Sequence, residues 1–187
     1  MKLNLANKLT LLRVLFIPFF VFCLLNGMYL TAFILFALAS ITDWLDGYVA
    51  RKYNMITDLG KFLDPLADKI LVISALVCFI EVFAVLRFPG WAVILIIARE
   101  FIVSGFRLAV VSKDNKAVIA ADSWGKIKTA ATMLTVCSFL ALLVFYTHIP
   151  QYLKWYDINI YLLYICTALT VYSGFTMIWK NRKLFGE

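Results

Sequence analysis

The sequence predicts an all-α polytopic membrane protein with six transmembrane helices, both termini in the cytoplasm and a polar cavity open to the cytoplasmic side. First, 64% of the residues are hydrophobic and the mean hydropathy is +0.90, whereas a soluble domain is about 45–50% apolar. Second, the apolar stretches reach the ~20 residues that a helix needs to cross a bilayer core. Third, most lysines and arginines lie on one side of the membrane in the predicted arrangement. Together the stretches fill the chain, so we expect one membrane domain over residues 1–187.

Short polar joints separate the apolar stretches. The first joint is Asn26-Gly27, and the later joints are residues 54–58, 87–90, 112–122 and 148–157. We expect the first stretch to be retained rather than cleaved as a signal peptide, because no small-residue cleavage site follows Leu25. The predicted spans are, in order, residues 7–26, 28–53, 59–86, 89–111, 123–146 and 158–180.

The lysines and arginines determine the predicted orientation. With the N-terminus inside, all 18 lysines and arginines except Arg87 and Lys154 lie on the inner side. Lys and Arg are enriched on the cytoplasmic side of membrane proteins, so the inner side is the cytoplasm. We therefore expect a multi-pass protein of the cell membrane, most consistent with a bacterial cytoplasmic membrane. The net charge is +7, and we expect the basic residues on the cytoplasmic side to bind anionic lipid head groups. Nucleic acid is not an expected partner, because no basic groove with interleaved aromatics is present.

Four aspartates interrupt the second and third apolar stretches. Asp43 and Asp46 are three residues apart, and Asp64 and Asp68 are four apart, so each pair lies on one face of its helix. At 1.5 Å per residue, all four lie roughly 9–15 Å from the cytoplasmic ends of two consecutive antiparallel helices. Ionisable groups are costly at this depth and mark functional sites. The spacing thus allows one carboxylate cluster that faces the cytoplasm.

Such a cluster favours divalent metal ions. Neighbouring carboxylates raise one another's pKa and do not all ionise unaided. Oxygen ligands without His or Cys suit hard cations, so we expect two Mg²⁺ or Mn²⁺ ions. Paired metal ions are used in phosphoryl transfer, because they hold the attacking and the leaving oxygens of an in-line displacement.

Two other interpretations remain open from the residues alone. The four aspartates could form an interhelical salt-bridge network with Arg51, Lys61 and Lys69, or they could line the pathway of a divalent-cation transporter. The small residues Gly47, Ala50 and Gly60 beside the aspartates allow either close helix packing or a flat floor under a substrate.

The polar positions resemble the signature of the CDP-alcohol phosphotransferase family without departure. The matching pattern is Asp43-x2-Asp46-Gly47-x2-Ala50-Arg51-x8-Gly60-x3-Asp64-x3-Asp68. Longer strings resemble the members of the family that use glycerol 3-phosphate as the acceptor alcohol. These strings are Asn7-x2-Thr10-x2-Arg13, the ten residues from Gly60 to Lys69, Ala98-Arg99-Glu100, and Gly125-Lys126-x-Lys128-Thr129.

This resemblance implies an enzyme of phospholipid synthesis with assigned residues. CDP-diacylglycerol and glycerol 3-phosphate would give phosphatidylglycerophosphate and CMP in a metal-assisted in-line displacement. Asp68 would be the catalytic base, and the metal ligands would be Asp43, Asp46, Asp64 and Asp68. The residues expected to bind CDP-diacylglycerol are Asp43, Asp46, Gly47, Ala50, Arg51 and Gly60. The resemblance also implies a homodimer among membrane lipids.

The acceptor and its phosphate site are less closely defined. Related enzymes use serine, inositol phosphate or phosphatidylglycerol instead of glycerol 3-phosphate. The candidate ligands of the acceptor phosphate lie in the cytoplasmic halves of the fourth and fifth spans, and they are Arg99, Arg107, Lys126 and Lys128. These cations could instead pair with Glu100, with Asp122 or with lipid phosphates.

Overall fold

The structure of the chain is a computed structural model. It describes the backbone of residues 5–52, 58–113, 123–145 and 151–181, and the side chains of residues 12–42, 67, 69–106, 124–145 and 151–181. Within these ranges the chain forms six α-helices and a short 3₁₀ turn, and it forms no strand. The helices are α1 Leu5–Leu25, α2 Tyr29–Lys52, α3 Asp58–Val82, α4 Gly90–Lys113, α5 Ser123–Phe145 and α6 Tyr152–Asn181. The all-helical prediction is confirmed.

Two helices have the length and the apolar composition of a membrane span in the part of the chain whose side chains are described. They are Trp124–Phe145, which is almost all of α5, and Tyr152–Asn181, which is α6. Shorter apolar segments, Leu12–Leu25 and Tyr29–Thr42, lie in α1 and α2. The fold is therefore consistent with a membrane protein.

The third helix ends earlier than its predicted span. Helix α3 stops at Val82, and the 3₁₀ turn Ala84–Leu86 leads to Arg87 in the left-handed conformation with φ 55°. This tight turn brings Phe83 against Phe88, with stacked rings whose centroids are 5.9 Å apart. The apolar run continues to Leu86, but packing of the aromatic rings across the turn decides where the helix stops.

The sixth helix begins earlier than predicted. The sequence predicts a start at residue 158, after a polar joint over residues 148–157, but α6 starts at Tyr152. Asp157 is exposed and therefore does not interrupt the helix. Tyr156 is buried, and its ring meets Phe139 edge-on at 6.3 Å. The polar residues of this segment thus form the outer face of a helix that is already packed.

Contacts between helices divide the chain into two units. The first unit contains α1, α2, α3 and the end of α5 from Leu140. In this unit, α1 packs on both α2 and α3. Its buried face repeats every three or four residues through Arg13, Ile17, Phe20 and Leu24, which is the periodicity of one helix face.

The second unit contains α4, α6 and α5 as far as Phe139. Helix α4 packs on α6, and α5 meets α6 through Thr132 Oγ1, which lies 3.3 Å from Cys166 Sγ. The buried residues of α6 include an unusual number of small and polar ones, namely Asn159, Thr167, Thr170, Ser173 and Gly174. Such residues let helices approach closely in a membrane.

Candidate active site

The aspartates lie on two helices of the first unit that contact each other. Asp43 and Asp46 lie in α2, Asp64 and Asp68 lie in α3, and both helices are continuous at these positions. Besides packing on α1, α2 and α3 also contact each other. The helical backbone that the sequence predicts at both pairs is therefore present.

The side chains of these four aspartates lie outside the described residues. Their meeting in one cluster stays a prediction, and so do the roles of Gly47, Ala50, Arg51 and Gly60, which also belong to α2 and α3. By residue type alone, four carboxylates would suit hard divalent cations, because such ions prefer oxygen ligands. Among the side chains that the structure does describe, no three of His, Cys, Asp and Glu come together.

A second polar cluster lies in the second unit and joins three helices. Its centre is Glu100 of α4, whose Oε1 accepts hydrogen bonds from Arg99 Nη1 at 3.1 Å and from Lys128 Nζ of α5. The side chains of Arg99, Glu100 and Lys128 are only 12%, 11% and 11% exposed. Two of the four cations predicted for the acceptor phosphate are therefore brought together around one carboxylate.

Arg99 is also fixed to α6. Its Nε donates to the backbone oxygen of Thr170 at 3.0 Å, and its Nη2 donates to Ser173 Oγ at 2.9 Å. The stem of the side chain crosses Gly174, where an added Cβ would lie 2.8 Å from Arg99 Cγ. Glycine at this position lets the arginine stem lie against the α6 backbone. The guanidinium group is thus held at a defined place.

The other two predicted cations are Lys126 and Arg107. Lys126 is exposed near the start of α5. Arg107 belongs to α4 by its backbone, but its side chain lies outside the described residues, and so does Asp122. The pairing of Arg99 and Lys128 with Glu100 was one of the alternatives open from the sequence. This pairing also leaves both cations side by side, as an anion site requires.

Sequence reasoning missed three residues of this cluster, Thr170, Ser173 and Gly174. They lie more than 70 positions from Arg99, so no local pattern connects them to it. A usable signal is the adjacent Ser173-Gly174 pair in the apolar helix α6, because small residues mark close contacts between membrane helices.

The comparisons with known proteins agree with the aspartate pattern. The family model for CDP-alcohol phosphatidyltransferase matches residues 3–174. The chain is 39% identical to the CDP-diacylglycerol–glycerol-3-phosphate 3-phosphatidyltransferase of Bacillus subtilis, over 95% of each chain. It is 39% identical to the protein of that name from Haemophilus influenzae, over 92% of this chain and 90% of the relative. It is 37% identical to the protein of that name from Escherichia coli, over 75% of this chain and 78% of the relative. The chain belongs to the CDP-alcohol phosphatidyltransferase family.

Proposed function

We propose that this chain transfers the phosphatidyl group of CDP-diacylglycerol to glycerol 3-phosphate, giving phosphatidylglycerophosphate and CMP. The observation that carries the proposal is the similarity along most of the chain to relatives whose name states this reaction, with 39% identity for two of them. The eight positions of the aspartate signature, all present from Asp43 to Asp68, support the same reaction class.

The proposed setting is the cytoplasmic membrane of a bacterium. Residues 1–187 form one membrane domain in which all six helices span the bilayer, with both termini and the active site on the cytoplasmic side. Support comes from the lengths of the helices, which range from 21 residues in α1 to 30 in α6, because about 20 residues suffice to cross the hydrocarbon core. The bias of Lys and Arg to one side supports the orientation.

The aspartates would hold two divalent cations, Mg²⁺ or Mn²⁺. The ligands would be Asp43, Asp46, Asp64 and Asp68. The proposed binding residues for CDP-diacylglycerol are Asp43, Asp46, Gly47, Ala50, Arg51 and Gly60. When bound, such ions neutralise the charge of the diphosphate and make its phosphorus more electrophilic. The oxygen-only donor set on two contacting helices supports this assignment.

Asp68 is the proposed base. Its carboxylate takes the proton of the acceptor hydroxyl as that oxygen bonds to the β-phosphorus of CDP-diacylglycerol. The bond from the β-phosphorus to the bridging oxygen breaks, and CMP leaves with its electron pair. No covalent bond between enzyme and substrate is needed. Arg51 lies one turn beyond Gly47 on α2 and interacts with the phosphates of the nucleotide.

The acceptor phosphate is bound by the cations of the second unit, with Arg99 and Lys128 as its main ligands. Their shared contact with Glu100 supports this assignment, because it holds two cations next to each other, and two neighbouring cations can both donate charge-assisted hydrogen bonds to one phosphate. Arginine binds phosphate in a bidentate manner, whereas lysine acts as a point charge. Arg107 and Lys126 remain candidates for further contacts with the acceptor. The resemblance to the family also supports a homodimer.

The test is an acceptor panel. Purified full-length protein is incubated with CDP-diacylglycerol, Mg²⁺ and, in separate reactions, glycerol 3-phosphate, serine, inositol phosphate and phosphatidylglycerol, and the release of CMP is measured. We expect CMP release with glycerol 3-phosphate to exceed that with any other acceptor. A higher rate with another alcohol would refute the proposed acceptor, and no CMP release with any acceptor would refute the reaction class.

A further inference from the structure

Glu100 is the point at which the two buried cations of the second unit meet. A single oxygen, Oε1, accepts a hydrogen bond from Arg99 Nη1 at 3.1 Å and another from Lys128 Nζ. Arg99 and Glu100 are on α4, and Lys128 is on α5. One carboxylate oxygen therefore fixes the position of Lys128 relative to Arg99.

The cluster is largely buried, so the distance between its two cations strongly affects their repulsion. The three side chains are between 11% and 12% exposed, so solvent screens their charges much less than it screens surface charges. Two like charges at this separation repel strongly in such surroundings. The carboxylate between them offsets the repulsion and holds both ammonium and guanidinium groups within hydrogen-bonding distance of one point.

Apart from Glu100, the described residues of the cluster form hydrogen bonds with Arg99 and none with Lys128. Arg99 is anchored to α6 by Thr170 and Ser173, whereas the hydrogen bond to Glu100 ties Lys128 to α4. Lysine has a flexible stem with four carbons, and losing its anchor would let it adopt other rotamers. The position of Lys128 thus depends on Glu100 more than the position of Arg99 does.

We propose that Glu100 is a positioning residue that sets the separation of Arg99 and Lys128 for binding the acceptor phosphate. The proposal rests on the proposed function, because it assumes that these two cations bind that phosphate. Glu100 itself does not contact the substrate. As an anion it would repel a phosphate, so its value lies in the placement of its two partners.

Positioning and simple charge effects predict opposite changes in the KM for glycerol 3-phosphate, and the variant Glu100→Gln distinguishes between them. This variant keeps the shape of the side chain and removes one negative charge from the cluster. If Glu100 only moderates the local charge, its loss strengthens attraction of the phosphate and lowers the KM for glycerol 3-phosphate. If Glu100 positions Lys128, the KM for glycerol 3-phosphate rises about tenfold, the loss expected from one charge-assisted hydrogen bond, and the KM for CDP-diacylglycerol stays within about twofold.

A second variant, Glu100→Asp, keeps the charge and shortens the side chain by one methylene group. Positioning predicts a selective rise in the KM for glycerol 3-phosphate here too, because the shorter carboxylate does not reach both cations. This variant retains the buried charge balance, so it tests the proposal even where Glu100→Gln does not fold. The matched control is Glu81→Gln, which changes the same residue type at an exposed position of α3 and should leave both KM values unchanged.

The variant Lys128→Met distinguishes an error in the positioning role of Glu100 from an error in the assignment of the acceptor site. An unchanged KM for glycerol 3-phosphate in Lys128→Met would refute the assignment of this lysine to the acceptor site, and with it the positioning role of Glu100. A rise in Lys128→Met together with a normal or lowered KM in the folded Glu100 variants would refute positioning alone. Equal rises in both substrates' KM values in the Glu100 variants would also refute it, because they indicate a general structural role.

Discussion

Replacing Gly174 with alanine should displace Arg99. The new Cβ would lie 2.8 Å from Arg99 Cγ and 3.2 Å from its Nε, whereas ordinary van der Waals contact begins at 3.4 Å. One of the two groups must therefore move by about 0.6 Å. The close atom belongs to the stem of the arginine rather than to its tip. The stem does not move without disturbing the hydrogen bonds to Thr170 and Ser173 or separating α4 from α6.

The energetic cost follows from two opposing terms. Overpacking a well-filled site costs about 1–3 kcal/mol, and alanine regains about 0.5–1 kcal/mol over glycine inside a helix. The net effect on the free energy of unfolding is a loss of up to about 2.5 kcal/mol, with a central value of about 1 kcal/mol. Because the guanidinium group moves with the stem, the KM for glycerol 3-phosphate should also rise, by roughly tenfold for one weakened charge-assisted hydrogen bond.

The assay compares Gly174→Ala with Gly105→Ala in detergent. Gly105 is also helical, but an added Cβ there meets nothing within 4 Å in the part of the chain that the structure describes. Thermal unfolding is followed by fluorescence of the five tryptophans. We expect a lower midpoint for Gly174→Ala and an equal or higher midpoint for Gly105→Ala. If Gly174→Ala matched the wild type in both midpoint and KM, the arginine stem would not lie against α6 as described.

The remaining predictions concern the aspartates. Activity should disappear in excess chelator and return with Mg²⁺ or Mn²⁺, while Ca²⁺ inhibits because its longer and looser coordination misplaces the oxygens; full activity in chelator would contradict the metal assignment. Replacing Asp64 with asparagine should weaken metal binding, and raising Mn²⁺ should restore part of the rate. In Asp68→Asn the base is lost, so kcat should fall roughly 10²–10⁴-fold and resist rescue by Mn²⁺. Equal rescue of both variants would make Asp68 a ligand only.

The sequence predicts features that follow from local chemistry. Aspartates inside apolar runs are conspicuous because each one is costly in a bilayer, and helical spacing determines which of them share a face. The pairing of Arg99 with Glu100 was one of the alternatives that the sequence left open. The predicted spans match five of the six helix starts within two residues, since apolar runs indicate helices and polar joints separate them.

The features that could not be predicted depend on packing between distant segments. The support of Arg99 by Ser173 and Gly174 joins residues 74 and 75 positions apart, and it exists only because α4 packs on α6. The early start of α6 has the same origin, since Tyr156 is buried by its contact with Phe139. A hydropathy pattern counts Lys154 and Asp157 as polar but does not indicate that they face outward on a packed helix.

The measurement that tests the central claim most directly is the stoichiometry of the reaction with labelled glycerol 3-phosphate. Purified wild-type protein is given CDP-diacylglycerol and Mg²⁺, and the labelled lipid and the released CMP are counted in the same samples. The account predicts one labelled phosphatidylglycerophosphate for each CMP, and no CMP release when the acceptor is omitted. CMP release without an acceptor, or a labelled lipid without equivalent CMP, would contradict direct transfer of the phosphatidyl group to glycerol 3-phosphate.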